Sequence, residues 1–205
     1  MAQPLEGIRV IDLCNDIYGQ FCTQILADFG AEVIKIESNT SMVTSYIFND
    51  LKNRNKKSFT LNLEEEEGKA VFSRLVEQSD VLVSDSLAPI AITRFKEWQE
   101  NNDKLVYCCI SDHITTQNEE DYCQKYLSNS FNLSQPDISI LSGIKIANMA
   151  GGVLYPVIAI LLALINRQNT GKGQTCDVSV TDGALSLLKY VISQISDNVQ
   201  ECRLI

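Results

Sequence analysis

The side chains best able to do acid–base chemistry lie in one polar stretch, residues 112–137. It holds His113, the single histidine of the chain, and an acidic run of Glu119, Glu120 and Asp121. His113 follows a predicted strand, and parallel sheets place their sites at the carboxyl ends of strands, so it could act as a base or a ligand. A histidine without an evident partner is more often a solvated loop residue, and an acidic run is more often an exposed loop.

A single amide, Asn148, precedes a long apolar stretch. Residues 149–165 carry no charge, and Gly151 and Gly152 lie near their start. The Asn148 side chain could accept hydrogen bonds from the free N–H groups of a first helical turn. On this pattern alone, we predict that Asn148 is the N-cap of a buried apolar helix.

Glycine-rich phosphate loops are not evident. The turn after the first predicted strand, residues 14–19, contains one glycine and lacks the G-x-G-x-x-G pattern of dinucleotide sites. The glycines Gly171 and Gly173 flank Lys172 after a predicted helix, without the spacing of a P-loop. They indicate a tight turn with an exposed lysine.

The composition predicts one sizeable globular domain. The chain has 205 residues, of which 45% are hydrophobic and 21% charged. The formal charge of −9 repels polyanions, so we expect neither a nucleic acid nor a membrane as partner. The uncharged stretch reaches the lower limit of about 17 residues for a membrane span. Glycines and Pro156 interrupt it and no aromatic belt flanks it, so we predict a core helix covered on all sides.

Seven cysteines argue against an exported, disulfide-rich protein. Their number is odd, and their spacing shows neither C-x-x-C pairs nor the pattern of a zinc site, so we expect no disulfide framework and no metal. The N-terminus lacks the basic and apolar regions of a signal peptide. We therefore expect a cytoplasmic protein.

Strand and helix patterns alternate along the chain. The predicted strands cover residues 8–13, 32–36, 58–63, 80–84, 105–111 and 175–180. The predicted helices cover residues 20–29, 64–79, about 92–101, the apolar stretch after Asn148, and 182–195. This alternation is typical of an α/β fold whose parallel sheet is covered by helices on both faces.

Several of these segments, taken in order, resemble the class III CoA-transferases, the CaiB/BaiF group that also contains formyl-CoA transferase and the alpha-methylacyl-CoA racemases. The segments are PLEGIRVIDL, FCTQILADFGAEVIKIE, NRNKKSFTLNL, EGKAVFSRLVEQSDVLV, LVYCCIS, AGG with its apolar helix, and NRQNTGKGQTCDVSVTDGA. The resemblance implies a Rossmann-like, CoA-binding large domain, which we assign to residues 1–196, followed by a polar tail, 197–205. Family members form dimers of interlocked rings closed by a small domain, which we expect to be absent here.

The resemblance also implies a catalytic position. In the transferases, an aspartate just before the AGG-type helix start attacks an acyl-CoA, giving a mixed anhydride and then an enzyme thioester. In the racemases, the same aspartate helps to move the α-proton. Asn148 occupies that position here, and an uncharged amide is neither a carboxylate nucleophile nor a general base. The racemase proton-transfer histidine aligns with Glu120, whereas Asp121 keeps the aspartate next to it.

Other departures fall at family positions that contact CoA. Residues 18–20 replace Ala-Gly-Pro, residues 111–114 replace Ser-Gly-Phe-Gly, and residues 85–89 replace the Asn-Phe-x-Pro-Gly loop. Side chains at such turns, above all Asp85 and Asp112, would crowd and repel the CoA phosphates. We expect no tightly bound cofactor, with coenzyme A or an acyl-CoA as the candidate ligand. The remaining candidates for contact with its phosphates are Lys56, Lys57 and Arg94.

The sequence thus favours a degenerate class III CoA-transferase-like chain that acts as a non-catalytic scaffold or partner subunit of an acyl-CoA transferase. Such a chain would form a homo- or hetero-oligomer, with a full-length homologue as a candidate partner. One alternative is an active acyl-CoA:carboxylate CoA-transferase that uses Asp121, Glu120 or residues of a partner subunit. The other alternative is a fragment of a full-length family member without a function of its own.

Overall fold

The computed structural model describes residues 3–37, 51–85, 89–111 and 138–189, with the backbone alone in 89–93 and 138–146. Its strands are β1 (Arg9–Asp12), β2 (Glu32–Glu37), β3 (Lys56–Thr60), β4 (Val81–Asp85), β5 (Val106–Ser111) and β6 (Thr175–Ser179). Its helices are α1 (Ile17–Asp28), α2 (Glu66–Glu77), α3 (Pro89–Asn101), α4 (Ile138–Thr170) and α5 (180–189). The predicted continuation of α5 and the predicted tail lie outside the described residues.

The strands form one parallel sheet in the order β3-β2-β1-β4-β5-β6. Val10 of β1 pairs with Val33 of β2 on one side and with Val81 of β4 on the other. The order runs outwards in both directions from β1 and β4, so the point where the topology reverses lies between these two strands. The predicted α/β fold with a parallel sheet is confirmed.

Apolar side chains cover both faces of the sheet, as the sequence predicts. On one face, Leu26 of α1 and Ile160 of α4 belong to a cluster that includes Val10 of β1. On the other face, Phe72 of α2 and Trp98 of α3 are fully buried against the remaining strand residues. Burial on both faces explains why the central strands are near-continuous apolar runs rather than alternating patterns.

From Ala147 onwards, where its side chains are described, helix α4 is covered on one side only, so the prediction of a helix covered on all sides is wrong. Ile160 and Ala163 are fully buried, because this side packs on the sheet. The opposite side forms an apolar stripe of exposed side chains: Leu154 (50%), Ile158 (51%), Leu162 (60%) and Ile165 (55%). Residues Ala147–Thr170 are long and apolar enough to cross a membrane by length and composition. Their buried side is also what the core helix of a globular domain presents.

Candidate active site

Asn148 lies inside a helix rather than at its start. Helix α4 begins at Ile138, and Asn148 is a half-buried residue within it. The prediction that Asn148 is an N-cap is therefore wrong, because an N-cap residue has extended backbone and precedes the first turn. The sequence does contain a better start signal, since Pro136 and Asp137 immediately precede the helix.

In the helical turn that follows Asn148, two glycines allow α4 to approach neighbouring helices closely. A Cβ placed on Gly151 would lie 2.6 Å from the backbone carbonyl carbon of Gly183 in α5, and one placed on Gly152 would lie 2.7 Å from Cδ1 of Tyr18 in α1. Real Cβ atoms do not approach so closely, so only glycine permits these crossings. Residues three and four apart share a helix face, and Asn148 is therefore on the side of α4 that meets Tyr18.

This face lies at the carboxyl edge of the sheet. Helix α4 connects β5 to β6, which are parallel neighbours, so it runs back against the strand direction and its first half lies beyond the strand ends. Tyr18, which lies against Gly152 of this face, comes just after the loop that follows β1. Ligands of open α/β sheets bind at this edge. Asn148 thus occupies the part of the fold where a reactive group would meet a ligand.

A buried cluster of charges stands next to this loop. Asp12, the last residue of β1, is fully buried and lies 2.8 Å from Nζ of Lys56 and 3.4 Å from Nζ of Lys35. Its carboxylate also accepts hydrogen bonds from the Thr23 hydroxyl at 2.6 Å and the Cys14 N–H at 3.0 Å. The three charged side chains come from the adjacent strands β1, β2 and β3 and neutralise each other only in part, with two cations on one anion.

The ionisation of this cluster follows from its surroundings. Burial by itself would raise the pKa of Asp12, but the attraction of Lys35 and Lys56 and the hydrogen bonds outweigh it, so the pKa lies below its ordinary value of 3.8. For Lys56, burial is the larger effect, and it lowers the pKa in spite of the attraction of Asp12. Asp12 is therefore held as a carboxylate at neutral pH.

We expect acid to destabilise the protein through Asp12. Because its pKa is lowered in the folded state, the stabilisation is fully present above the unfolded value, near 3.8, and is lost as the pH falls through the folded pKa. Urea unfolding at neutral and acidic pH, in the native chain and in Asp12→Asn, measures this effect. The native chain should lose more stability in acid than the variant, and parallel pH profiles would contradict the assignment.

Each of the three predicted phosphate contacts is already paired with a carboxylate. The Lys56 side chain is 1% exposed, and its ammonium would have to leave Asp12 to reach a phosphate. Lys57 is 70% exposed and lies 2.6 Å from Glu32. Arg94 on α3 lies 3.4 Å from Glu66. Contacts of these residues with CoA remain predictions.

The described cysteines offer no alternative nucleophile. Burial raises the pKa of their thiols, and protonated thiols are poor nucleophiles; the residues are Cys14, Cys22, Cys108, Cys109 and Cys176. All five are free cysteines. The other candidate groups, His113, Glu120 and Asp121, lie outside the described residues, as does Asp112.

Comparison with known proteins identifies the family. The model of CoA-transferase family III matches residues 5–203. The chain belongs to this family. It is 31% identical over 208 residues to a formyl-CoA:oxalate CoA-transferase of Streptomyces avermitilis and 30% identical over 210 residues to one of Escherichia coli. These alignments cover 92% of the chain but 51% and 50% of the two relatives, so the chain spans about half of their length.

Solved structures agree with this assignment to CoA-transferase family III. A CaiB/BaiF family protein from Brucella suis is 29% identical, with a TM-score of 0.75 over 92% of this chain and 56% of that one. A hypothetical protein from Mycobacterium tuberculosis has a TM-score of 0.77 over 97% of this chain and 61% of that one. Its identity is 22%, so that likeness concerns the fold alone. The resemblance seen in the sequence is confirmed at the level of family and fold.

Proposed function

We propose that this chain is a degenerate member of CoA-transferase family III that serves as a non-catalytic scaffold or partner subunit of an acyl-CoA transferase. The observation that carries the proposal is Asn148 in the place of the family's nucleophilic aspartate. Its position beside Gly151 and Gly152, at the carboxyl edge of the sheet, supports this alignment. The fold that would present the nucleophile is therefore retained, whereas the carboxylate is absent at this position.

The chemistry of the amide explains why catalysis at this residue should fail. A carboxylate can attack the thioester carbonyl of an acyl-CoA and expel the CoA thiolate, leaving a mixed anhydride. The nitrogen lone pair of Asn148 is delocalised into its carbonyl, and the group is uncharged at neutral pH. No described cysteine replaces it, because burial keeps those thiols protonated.

A role alongside another chain is supported by the stripe on α4. Leu154, Ile158, Leu162 and Ile165 lie on one side of the helix at spacings of three or four residues, and each is half or more exposed. Stretches of apolar surface of this kind mark interaction sites more often than scattered single residues do. The relatives are about twice as long as this chain, so a full-length homologue has additional surface with which to cover the stripe.

Weak binding of coenzyme A is part of the same proposal. Lys56, one of the predicted phosphate contacts, is engaged by Asp12 in the interior. Lys57 and Arg94 are partly exposed and paired with glutamates, and exposed pairs of this kind are weak. Each could exchange its glutamate for a phosphate at little cost.

The experiment restores the missing group. Native chain, Asn148→Asp and the matched control Asn148→Ala are each co-expressed with a full-length homologue, whose own nucleophile has been replaced. Each complex is incubated with an acyl-CoA at a concentration high enough to offset weak binding. Mass spectrometry of the intact short chain should find an adduct on Asn148→Asp and none on the other two proteins. An adduct on the native chain, or turnover abolished by Asp121→Ala, would overturn the proposal in favour of an active enzyme.

A further inference from the structure

The loop between β1 and α1, residues 13–16, lies where the sheet topology reverses. Its neighbour across this point is β4, whose Leu82 pairs with Ile11 of β1. In open α/β sheets, the first N–H groups of the helix at this point are a natural site for a phosphate. In this chain, the N–H groups of Asn15 and Asp16 before the helix and of Gly19 in its first turn already have acceptors, which come from the chain itself.

The principal acceptor is Asp85, the last residue of β4. It is 2% exposed, and its Oδ2 accepts the backbone N–H groups of Asn15 at 2.5 Å and of Asp16 at 3.2 Å. The Asp16 side chain is the N-cap of α1 and accepts the N–H of Gly19 at 2.6 Å. One carboxylate group thus takes two donors of the loop directly before the helix, which is how a bound anion would be held.

The side chain of Gln20 fixes the same loop from the helix. It is 6% exposed, and its Nε2 donates to the carbonyl oxygens of Cys14 at 3.2 Å and Asn15 at 3.1 Å. Because both partners are carbonyl oxygens, the amide nitrogen must face them, and Oε1 must face elsewhere. That oxygen is buried and has no partner among the described residues. An unpaired acceptor is unfavourable for a nearby anion and favourable for a donor such as water.

The charges around the loop point the same way. Two buried ammonium groups donate to backbone carbonyls here, Lys35 to Cys14 in the loop and Lys56 to Gln20 in the first turn of α1 at 2.7 Å. Three aspartates lie in the same neighbourhood as these two cations. Asp12 pairs with both ammonium groups, Asp16 accepts the N–H of Gly19, and Asp85 accepts the N–H of Asn15. The neighbourhood therefore carries one surplus negative charge, which repels a further anion, and without Asp85 it would be balanced.

We propose that the Asp85 carboxylate is a built-in occupant of the anion position before α1, which holds the β1–α1 loop closed and excludes phosphate groups from it. This goes beyond the proposed function, since it concerns a different residue and a different group of the ligand. It also gives the predicted repulsion of CoA phosphates by Asp85 a different form. Asp85 is buried instead of exposed to the solvent, and it accepts the hydrogen bonds of the N–H groups that a phosphate would need.

The test uses inorganic phosphate and the backbone amide resonances of the full ¹⁵N-labelled chain. In the native chain, phosphate should leave the resonances of Asn15 and Asp16 unchanged. In Asp85→Ser, which removes the carboxylate and frees the space, phosphate should shift both resonances to saturation. Asp103→Asn, at an exposed turn residue, is the control and should behave as the native chain does.

A saturable shift of these two resonances in the native chain would overturn the proposal. The absence of any phosphate-induced shift in a folded Asp85→Ser would also overturn it. If Asp85→Ser does not fold, Asp85→Asn tests the same contact, because it keeps the volume and removes the charge. Hydrogen exchange of the two amides should be several-fold faster in Asp85→Asn than in the native chain, since charge-assisted hydrogen bonds are the stronger ones. Equal exchange rates would overturn the proposal.

Discussion

Replacing Asp12 with asparagine is expected to lower the free energy of unfolding by about 3–5 kcal/mol, the usual cost of removing one member of a buried ion pair. Asp12 is fully buried between two ammonium groups whose side chains are 7% and 1% exposed. An asparagine offers one acceptor oxygen, so it can accept from only one of the two ammonium groups, and it neutralises neither Lys35 nor Lys56. Both cations then remain in the interior without their counter-charge. Urea-induced unfolding followed by circular dichroism measures the change.

The exposed pair between Lys57 and Glu32 supplies the control. Its side chains are 70% and 35% exposed, so Glu32→Gln should cost no more than about 1 kcal/mol. Adding Lys56→Met to Asp12→Asn should recover part of the loss, since an apolar side chain of similar length needs no counter-charge. If Asp12→Asn lowered the free energy of unfolding no more than Glu32→Gln does, the Asp12 carboxylate would not be what stabilises the two buried ammonium groups.

Replacing Trp98 with alanine is expected to cost about 3–5 kcal/mol of stability, as truncation of a large core aromatic side chain does. Trp98 of α3 is fully buried and meets the ring of Phe72 of α2 edge to face, with ring centroids 5.3 Å apart. Its Nε1 donates to the Ser73 hydroxyl at 3.0 Å. Truncation removes this packing and leaves Ser73 without the bond. The same unfolding measurement applies.

Trp98→Phe separates the ring from the hydrogen bond. It keeps an aromatic ring against Phe72 but removes the donor to Ser73, so its cost should be well below that of Trp98→Ala. A loss below about 1 kcal/mol in Trp98→Ala would be contrary to the cavity cost of a buried tryptophan. It would mean that α2 and α3 are not packed tightly on their face of the sheet.

The sheet could be predicted because its strands carry local signals. The runs around Val81 and Val106 are apolar and end at turn residues, as buried parallel strands do. Strand β4 is fully buried, and four of the six residues of β5 are buried. For β3, the sequence predicts a strand over residues 58–63, which starts two residues later than the observed Lys56–Thr60. Asn55 has a positive φ of 63° just before it, and Lys56 then pairs with Val33 of β2, which a hydrophobic pattern cannot reveal.

The details of the candidate site depended on tertiary contacts. The sequence predicts both Lys56 and Lys57 as phosphate contacts, which requires both side chains to be accessible. Side chains alternate along β3, so Lys56 points inwards to Asp12 and Lys57 remains exposed. The apolar run that follows Asn148 predicts a cap, because an asparagine oxygen can accept the N–H groups of a first turn, and Gly151 and Gly152 lie near the start of that run. Those glycines serve instead for close approach to Tyr18 and to α5 within a longer helix. In each case a residue distant in sequence decides the role.

Structural and chemical features thus differ in how far they are retained. The parallel sheet, its two cores and the glycine crossings beside Asn148 are those of a folded α/β domain. In the proposed function, Asn148 stands in place of the nucleophilic carboxylate, and the N–H groups of Asn15 and Asp16 before α1 are taken by Asp85. Both departures concern ligand chemistry rather than folding, which fits a chain retained for its surface.

The most direct measurement is acyl transfer by the unchanged chain. Purified protein is incubated with an acyl-CoA and a series of carboxylic acid acceptors, alone and with a full-length homologue that carries an inactivated nucleophile, and the CoA esters are separated by chromatography. The proposed function predicts no product above the level given by Asn148→Ala. Turnover by the native chain that exceeds this level would contradict it, and its loss in Asp121→Ala would identify the active enzyme that the sequence left open.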